Sequence, residues 1–208
     1  MAVVDVWGTV HAERSALADD LQGLTDEQWA TPSQCDDWTV RDVLAHMTAT
    51  AKISPPQFLV KLIGSGFSLT RLQAKDIKVE RGSSPADGLA RFTAVVGSSK
   101  HPPGPTDTWL GEVVIHAADI RRPLGIAHAY PTDAVVKVAD FYKGSNLVVG
   151  AKKRVAGVTL RANDADWSHG EGPEVVGPIL SLVLAMTGRR SALDDLSGDG
   201  VATLSTRT

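Results

Sequence analysis

Glu112 and His116 stand four residues apart in the stretch Trp109-Leu110-Gly111-Glu112-Val113-Val114-Ile115-His116-Ala117-Ala118-Asp119-Ile120. On a helix that spacing puts both side chains on one face, about a turn apart. They fall beside Trp109, Val113 and Ile120, at the edge of the apolar stripe rather than opposite it, and so point into a bundle interior. A carboxylate buried without a partner is costly, and a metal ion is one compensation. His46, flanked at helical spacing by Val43, Met47 and Thr50, lies at the margin of another apolar stripe. It supplies a third donor if the two helices converge. Two imidazoles and one carboxylate leave a coordination position open, the pattern of catalytic rather than structural zinc. Iron or nickel also suits such a set. Asp119, one turn beyond His116, is placed to orient a ligand from behind. The same spacing equally suits a polar pair satisfied within the protein or reaching water from a helix surface.

Other reactive residues carry weaker signals. Cys35 immediately precedes a helix whose dipole lowers a thiol pKa if the sulfur points inward. It has no base adjacent in sequence, and an inert, partly buried thiol is the alternative. Arg189-Arg190 follows an apolar segment and suits an anionic substrate, or simply the negative end of that helix. His11, His101, His128 and His169 lack comparable partners and read as solvent-facing or loop residues. Gly64-Ser65-Gly66 lacks the following Lys-Ser/Thr of a phosphate loop. No Ser-His-Asp arrangement stands out, and no residue is assigned a catalytic role of its own.

These residues need helices to hold them. Residues 3–22 read as a first helix, with Val6, Val10, Leu17 and Leu21 at helical spacing, the charges of Glu13 and Arg14 largely elsewhere on the wheel, and Gly23 as a stop. Thr25 with Gln28 matches a capping box. Residues 32–37 are a loop by composition. Thr39 caps the helix carrying His46, with Asp42 in its first turn. Pro55-Pro56 interrupts this helix or starts the next, and residues 57–79 read as helical with a break near Gly64. Ser84-Pro85-Ala86-Asp87 is a further helix start. Thr106 or Thr108 is expected to cap the helix carrying Glu112 and His116, with Arg121 and Arg122 at its negative end. Beyond about residue 125 the pattern changes. A short helix over 131–142 precedes strands over 156–162, 165–169 and 174–176, an apolar helix over 179–187 and a last strand over 201–204. The reading is α+β: a helical bundle over residues 1–128 followed by a small C-terminal α/β domain over residues 129–208.

Composition narrows the function classes. The 208 residues amount to one large domain or two small ones. With 43% hydrophobic and 22% charged residues, the chain has the mix of an ordinary globular protein. Twenty-one Lys and Arg against 24 Asp and Glu argue against a basic nucleic-acid binder. A single cysteine excludes an internal disulfide framework. No run of apolar residues is long enough to span a membrane, and the first residues lack a secretory pattern. A cytoplasmic protein is the expectation.

Two segments together carry a family resemblance. One is Leu24-Thr25-Asp26-Glu27-Gln28-Trp29 with Pro32-Ser33-Gln34-Cys35-Asp36-Asp37-Trp38-Thr39-Val40-Arg41-Asp42-Val43-Leu44-Ala45-His46. The other is the Glu112–His116–Asp119 helix continuing into Arg121-Arg122-Pro123-Leu124-Gly125. The chain resembles the mycothiol-dependent maleylpyruvate isomerase family, within the DinB-like metal-binding helical bundles, strongly over residues 1–125 and more weakly beyond. The resemblance implies a DinB-like four-helix bundle with a divalent metal, usually zinc, on His46, Glu112 and His116. It also implies a sterol-carrier-like C-terminal α/β domain that closes over the bundle site, here shortened. Leu184-Ala185-Met186-Thr187-Gly188-Arg189 is similar to the family's apolar helix ending in Gly-Arg, which makes Arg189, or equally Arg190, a substrate or thiol contact.

The activity so implied is a metal-assisted isomerase or S-transferase that uses mycothiol, or another low-molecular-weight thiol, as cosubstrate. Its partner is a small electrophile that bears a carboxylate if the arginines hold it. The protein itself is a monomer or homodimer, without nucleic-acid or membrane partners. Two rivals share the residues: a hydrolase that activates water on the same ligands, and a non-catalytic protein enclosing a small apolar ligand.

Overall fold

A computed structural model describes residues 4–35, 37–147 and 149–208. The beginning of the helix expected over 3–22, and Asp36 of the expected loop, lie outside the described residues. The chain divides into two compact units, residues 5–128 and, with Val4, residues 129–208.

The regular elements described in the first unit are all helices, with one isolated bridge between Pro32 and Thr39. Helix α1 (Val6–Asp20) is capped by Asp5, whose carboxylate accepts from the Gly8 amide. α2 (Asp26–Trp29) carries the Thr25/Gln28 capping box, and α3 (Val40–Lys52) a second one from Thr39 and Asp42. α4 (Pro55–Ile63) starts at the proline pair. The expected break separates it from α5 (Leu69–Glu80). α6 (Pro85–Thr93) begins after Ser84, which accepts from the Asp87 amide. α7 (Thr106–Arg121) departs from expectation: Pro105 occupies the capping position with no side-chain bond, and Thr106 is the first helical residue. Proline presets the backbone angle, so neither Thr106 nor Thr108 caps.

α3 packs against α5, α6 and α7, while α1 packs against α6 and α7. Val10, Leu17, Val43, Leu44, Met47, Phe92, Leu110, Val113 and Val114 fill the space between them. Each such side chain contributes about 1.5–3 kcal/mol by leaving water. α7 is the central element, with twelve of its sixteen residues buried. α1 shows a second departure: Glu13 and Arg14 are buried rather than outward. Their partners explain it. Glu13 faces His128 at 2.8 Å and Arg121 at 3.6 Å, and Arg14 donates to the Ser98 carbonyl at 2.8 Å. Arg121 also meets Asp20 at 2.7 Å, tying the end of α7 to α1.

The second unit contains α8 (Thr132–Lys143), α9 (Ala151–Arg154), strands β1 (Thr159–Ala162), β2 (Ser168–His169) and β3 (Glu174–Gly177), then α10 (Ile179–Met186). The sheet order is β2-β1-β3. β2 is antiparallel to β1, with Leu160 opposite His169. β3 is parallel to it, with Leu160 opposite Val175. α10 packs on α8, β1 and β3. The expected last strand over 201–204 is instead helix α11 (Gly200–Ser205). The hydrogen-bonding edge of β3 is taken upstream, where Val176 and Ser197 exchange amide–carbonyl bonds of 2.8 and 2.9 Å. Gly198, at φ +102°, then turns the chain away. Gly200 and Leu204 are buried four residues apart, a helical period. Among the described residues no helix is long and apolar enough to cross a membrane.

Candidate metal centre

The site is built where α3 and α7 lie side by side. His46 on α3 and His116 on α7 bring their rings to 5.0 Å between centroids, nearly edge-on at 79°. The Trp38 indole flanks both, 4.9 Å from His46 and 6.3 Å from His116.

The segment before α3 sets this geometry. The Ser33 amide donates to the Trp38 carbonyl, and the Trp38 amide donates back to the Cys35 carbonyl. The Thr39 amide and hydroxyl both donate to Asp42 Oδ2, at 3.0 and 2.7 Å. Removing such a cap costs about 1 kcal/mol. A Thr39→Ala variant is therefore expected to lower the urea midpoint by the equivalent amount at unchanged m-value, and an unchanged midpoint would refute the cap's contribution.

Glu112 is buried at 8% exposure. Its Oε1 accepts from the Thr50 hydroxyl at 2.7 Å, and its Oε2 is buried with no hydrogen-bond partner. Leaving a buried acceptor unsatisfied costs about 1–3 kcal/mol, more for a charged group. Arg14, 2% exposed, interacts electrostatically with Glu112. Burial pulls the Arg14 guanidinium below its ordinary pKa, and the Glu112 charge offsets part of that fall.

His116 Nδ1 lies 2.9 Å from Oδ2 of Asp119, a residue with no exposed surface. A carboxylate only accepts, so Nδ1 carries the proton and Nε2 keeps the lone pair that binds a metal. Asp119, one turn beyond, is thus the hydrogen-bond partner of the His116 ring. Cys35 joins from the preceding loop: its sulfur, a His116 nitrogen and an Asp119 oxygen lie within 4.8 Å of one another. The Gln34 amide donates to the Asp119 carbonyl at 3.1 Å and holds that loop against α7.

The structure therefore gathers Cys35, His116 and Asp119, sets His46 beside His116, and keeps Glu112 one turn back on α7 with an oxygen to spare. Thr50 and Arg14 were missed as site residues. Thr50 has a signal in hindsight, lying one turn beyond His46, whereas Arg14 has none in its own helix. Arg189 and Arg190 belong to the second unit. Arg189 is buried and donates to the Thr187 carbonyl at 3.0 Å. Arg190 is exposed, 3.4 Å from the Ser205 and Thr208 carbonyls. Of the remaining histidines, His101 and His128 lie in loops as expected, whereas His11 is on α1 and His169 on β2, and all four are half-buried. His101 stacks on Trp7 and Trp109, His11 lies 3.2 Å from the Ser99 hydroxyl, and His128 pairs with Glu13. Burial is the main reason His169 is held below the usual histidine pKa. An open cleft of about 530 Å³ shares Trp38 with the site and is lined by Arg41, Asp42, Ile77, Lys78 and Arg81, but not by the donor residues.

Among the described residues the donors close enough to one another to hold a cation are those of Cys35, His116 and Asp119. His46 and Glu112 stand near that group but outside it, and the buried Glu112 Oε2 without a partner is the further feature that a divalent cation would satisfy. Comparison with known proteins agrees with a helical bundle of this kind. Residues 10–100 match the family model described as the mycothiol maleylpyruvate isomerase N-terminal domain. Two solved structures share the fold. The mycothiol-dependent maleylpyruvate isomerase is 13% identical with a TM-score of 0.64, and covers 94% of this chain and 92% of its own. A histidine-to-alanine variant of that enzyme is 14% identical with a TM-score of 0.63 and the same coverage. No curated protein matches the chain. Similarity to that domain model is thus confined to residues 10–100, under half of the chain, and the likeness to the solved structures is one of fold, over most of the chain.

Proposed function

We propose that this protein is a metal-dependent isomerase or S-transferase of the maleylpyruvate isomerase type, with His46, Glu112 and His116 as the ligands of a divalent cation, zinc by preference. The observation that carries this reading is the unpartnered, buried Glu112 Oε2 one helical turn from an imidazole that faces a second imidazole across 5.0 Å. The DinB-like bundle and sterol-carrier-like second domain of the family resemblance belong to the same reading.

A divalent cation in this setting makes a small thiol available as thiolate near neutral pH. The chain's own residues hold and orient the donors. Thr50 fixes one Glu112 oxygen, Asp119 fixes the His116 tautomer, and the Trp38 ring flanks both imidazoles. Mycothiol is the proposed cosubstrate because the family that the sequence resembles uses it. For a cis-alkene, the thiol adds to the electrophilic carbon, the carbon–carbon bond rotates, and elimination returns the thiol with the trans isomer. For other electrophiles the product is a conjugate. Arg190, the exposed member of its pair, and Arg189 are proposed to hold substrate carboxylates.

Zinc-loaded protein assayed with maleylpyruvate and with simple electrophiles tests the proposal. Turnover is expected to require both the metal and the thiol. Metal-dependent turnover of a hydrolysable substrate without thiol would overturn it in favour of water activation on the same ligands.

A further inference from the structure

We infer that α4, α5 and the turn between them dock this protein on an anionic lipid surface. α4 has no buried residue and packs mainly on α5. Leu59, Val60 and Ile63 of α4, Phe67 of the turn and Leu69 at the start of α5 are all more than half exposed, Val60 at 70% and Phe67 at 71%. Leu59, Val60 and Ile63 share one side of α4 by helical spacing. Scattered apolar residues are ordinary on a surface, whereas a group of this size marks an interaction site.

The turn itself carries a second sign. Phe67 has φ +58°, a left-handed conformation that bulky residues rarely adopt. Its amide donates to the Leu62 carbonyl at 2.9 Å, closing the end of α4. A glycine would hold that turn without strain. The chain instead strains its backbone to hold a large aromatic ring in water, a cost that burial of the ring on docking offsets.

Charge selects the occupant. The two acids of α5 are engaged, Asp76 with Lys61 at 2.7 Å and Glu80 with Lys52 at 2.6 Å. Arg71, Lys75 and Lys78 lie on one exposed face of α5, and among the described residues no carboxylate pairs with them. Lys75 donates to the Gly64 carbonyl at 3.0 Å, and a β-carbon on Gly66 would meet the Arg71 guanidinium at 3.7 Å. Two of the three cations therefore stand against the turn that carries Phe67, in a chain whose net charge is −3. A second copy docked through this face would gather both sets of cations at one interface, and like charges oppose that contact. Anionic headgroups attract them, each Lys or Arg near the surface strengthening binding about 5-fold. An apolar helix face with basic flanks lies in the plane of the headgroups and needs no spanning helix.

The test is co-sedimentation of the full chain with vesicles of phosphatidylcholine, alone or mixed equally with phosphatidylglycerol. Binding is expected to the mixed vesicles, and at least about 10-fold more weakly to phosphatidylcholine alone. Raising the salt from about 0.1 M to about 1 M shortens the screening length from about 10 Å to about 3 Å and should release most of the protein. Phe67→Asn keeps a residue that tolerates the left-handed turn. It is expected to bind the mixed vesicles at least about 10-fold more weakly, with a urea midpoint that does not fall. A midpoint that falls would show the ring packing on the protein itself and overturn the proposal. Unaltered vesicle binding by Phe67→Asn, equal binding to the two kinds of vesicle, or binding to neither would also overturn it. Dimerisation that Phe67→Asn abolishes, without vesicle binding, would overturn it in favour of a second copy.

Discussion

Replacing His116 with alanine is expected to leave purified protein with about a tenth or less of the divalent cation held by the unaltered chain. Losing a group that merely orients a ligand costs about 10–100-fold in affinity, and losing the ligand costs more. His116 is also the residue shared by both sets of neighbours, with His46 on one side and Cys35 and Asp119 on the other. The change has a second consequence that needs no metal. Asp119 has no exposed surface, and its Oδ2 loses the Nδ1–H held at 2.9 Å. A hydrogen bond to a charged group contributes about 1.5–3 kcal/mol, so metal-free His116→Ala unfolds at lower urea. His46→Ala separates the two effects: it removes a proposed donor and leaves the His116–Asp119 bond in place. Elemental analysis and urea titration of both variants decide the matter. Full metal content in both would sink the ligand assignment, and equal metal-free stability would sink the account of Asp119.

The elements around this site were readable where their determinants are local. The pairs Thr25/Gln28, Thr39/Asp42 and Ser84/Asp87 are bonds between residues three apart, and each starts a helix in the structure. The relation of Glu112, His116 and Asp119 is a property of helical period alone. What escaped depends on partners distant in the chain. Residues 201–204 alternate well enough for a strand, but the edge they would join is occupied by Ser197. The proximity of Cys35 to His116 rests partly on a backbone bond from Gln34 to Asp119, and a peptide amide writes nothing into side-chain pattern. Arg14 is the clearest instance. It lies among charges on α1 and reads as surface, yet Ser98 and Glu112, both far away in sequence, decide its burial.

That burial makes Arg14 the second severe position. Its guanidinium is 2% exposed, bonds the Ser98 carbonyl at 2.8 Å and lies in the field of Glu112. Removing it takes the donor from the Ser98 carbonyl and a buried positive charge from the surroundings of Glu112, at a cost of about 1–3 kcal/mol. Arg14→Met preserves much of the apolar stem, so the loss falls on the charge and its donors. Metal-free Arg14→Met is expected to lose stability on that scale in urea. Arg14→Lys, which keeps the charge without the planar donor geometry, is expected to lose less. Adding zinc distinguishes an electrostatic cause from a packing defect. Any ligand that binds only the folded state raises its stability. In Arg14→Met the cation also neutralises the stranded Glu112, so the increment from zinc should exceed that of the unaltered protein at the same free metal concentration. A packing defect would lower both curves and leave the increments equal. Equal increments would therefore refute the coupling of Arg14 to the metal centre, and an unchanged metal-free midpoint would refute its structural importance as well.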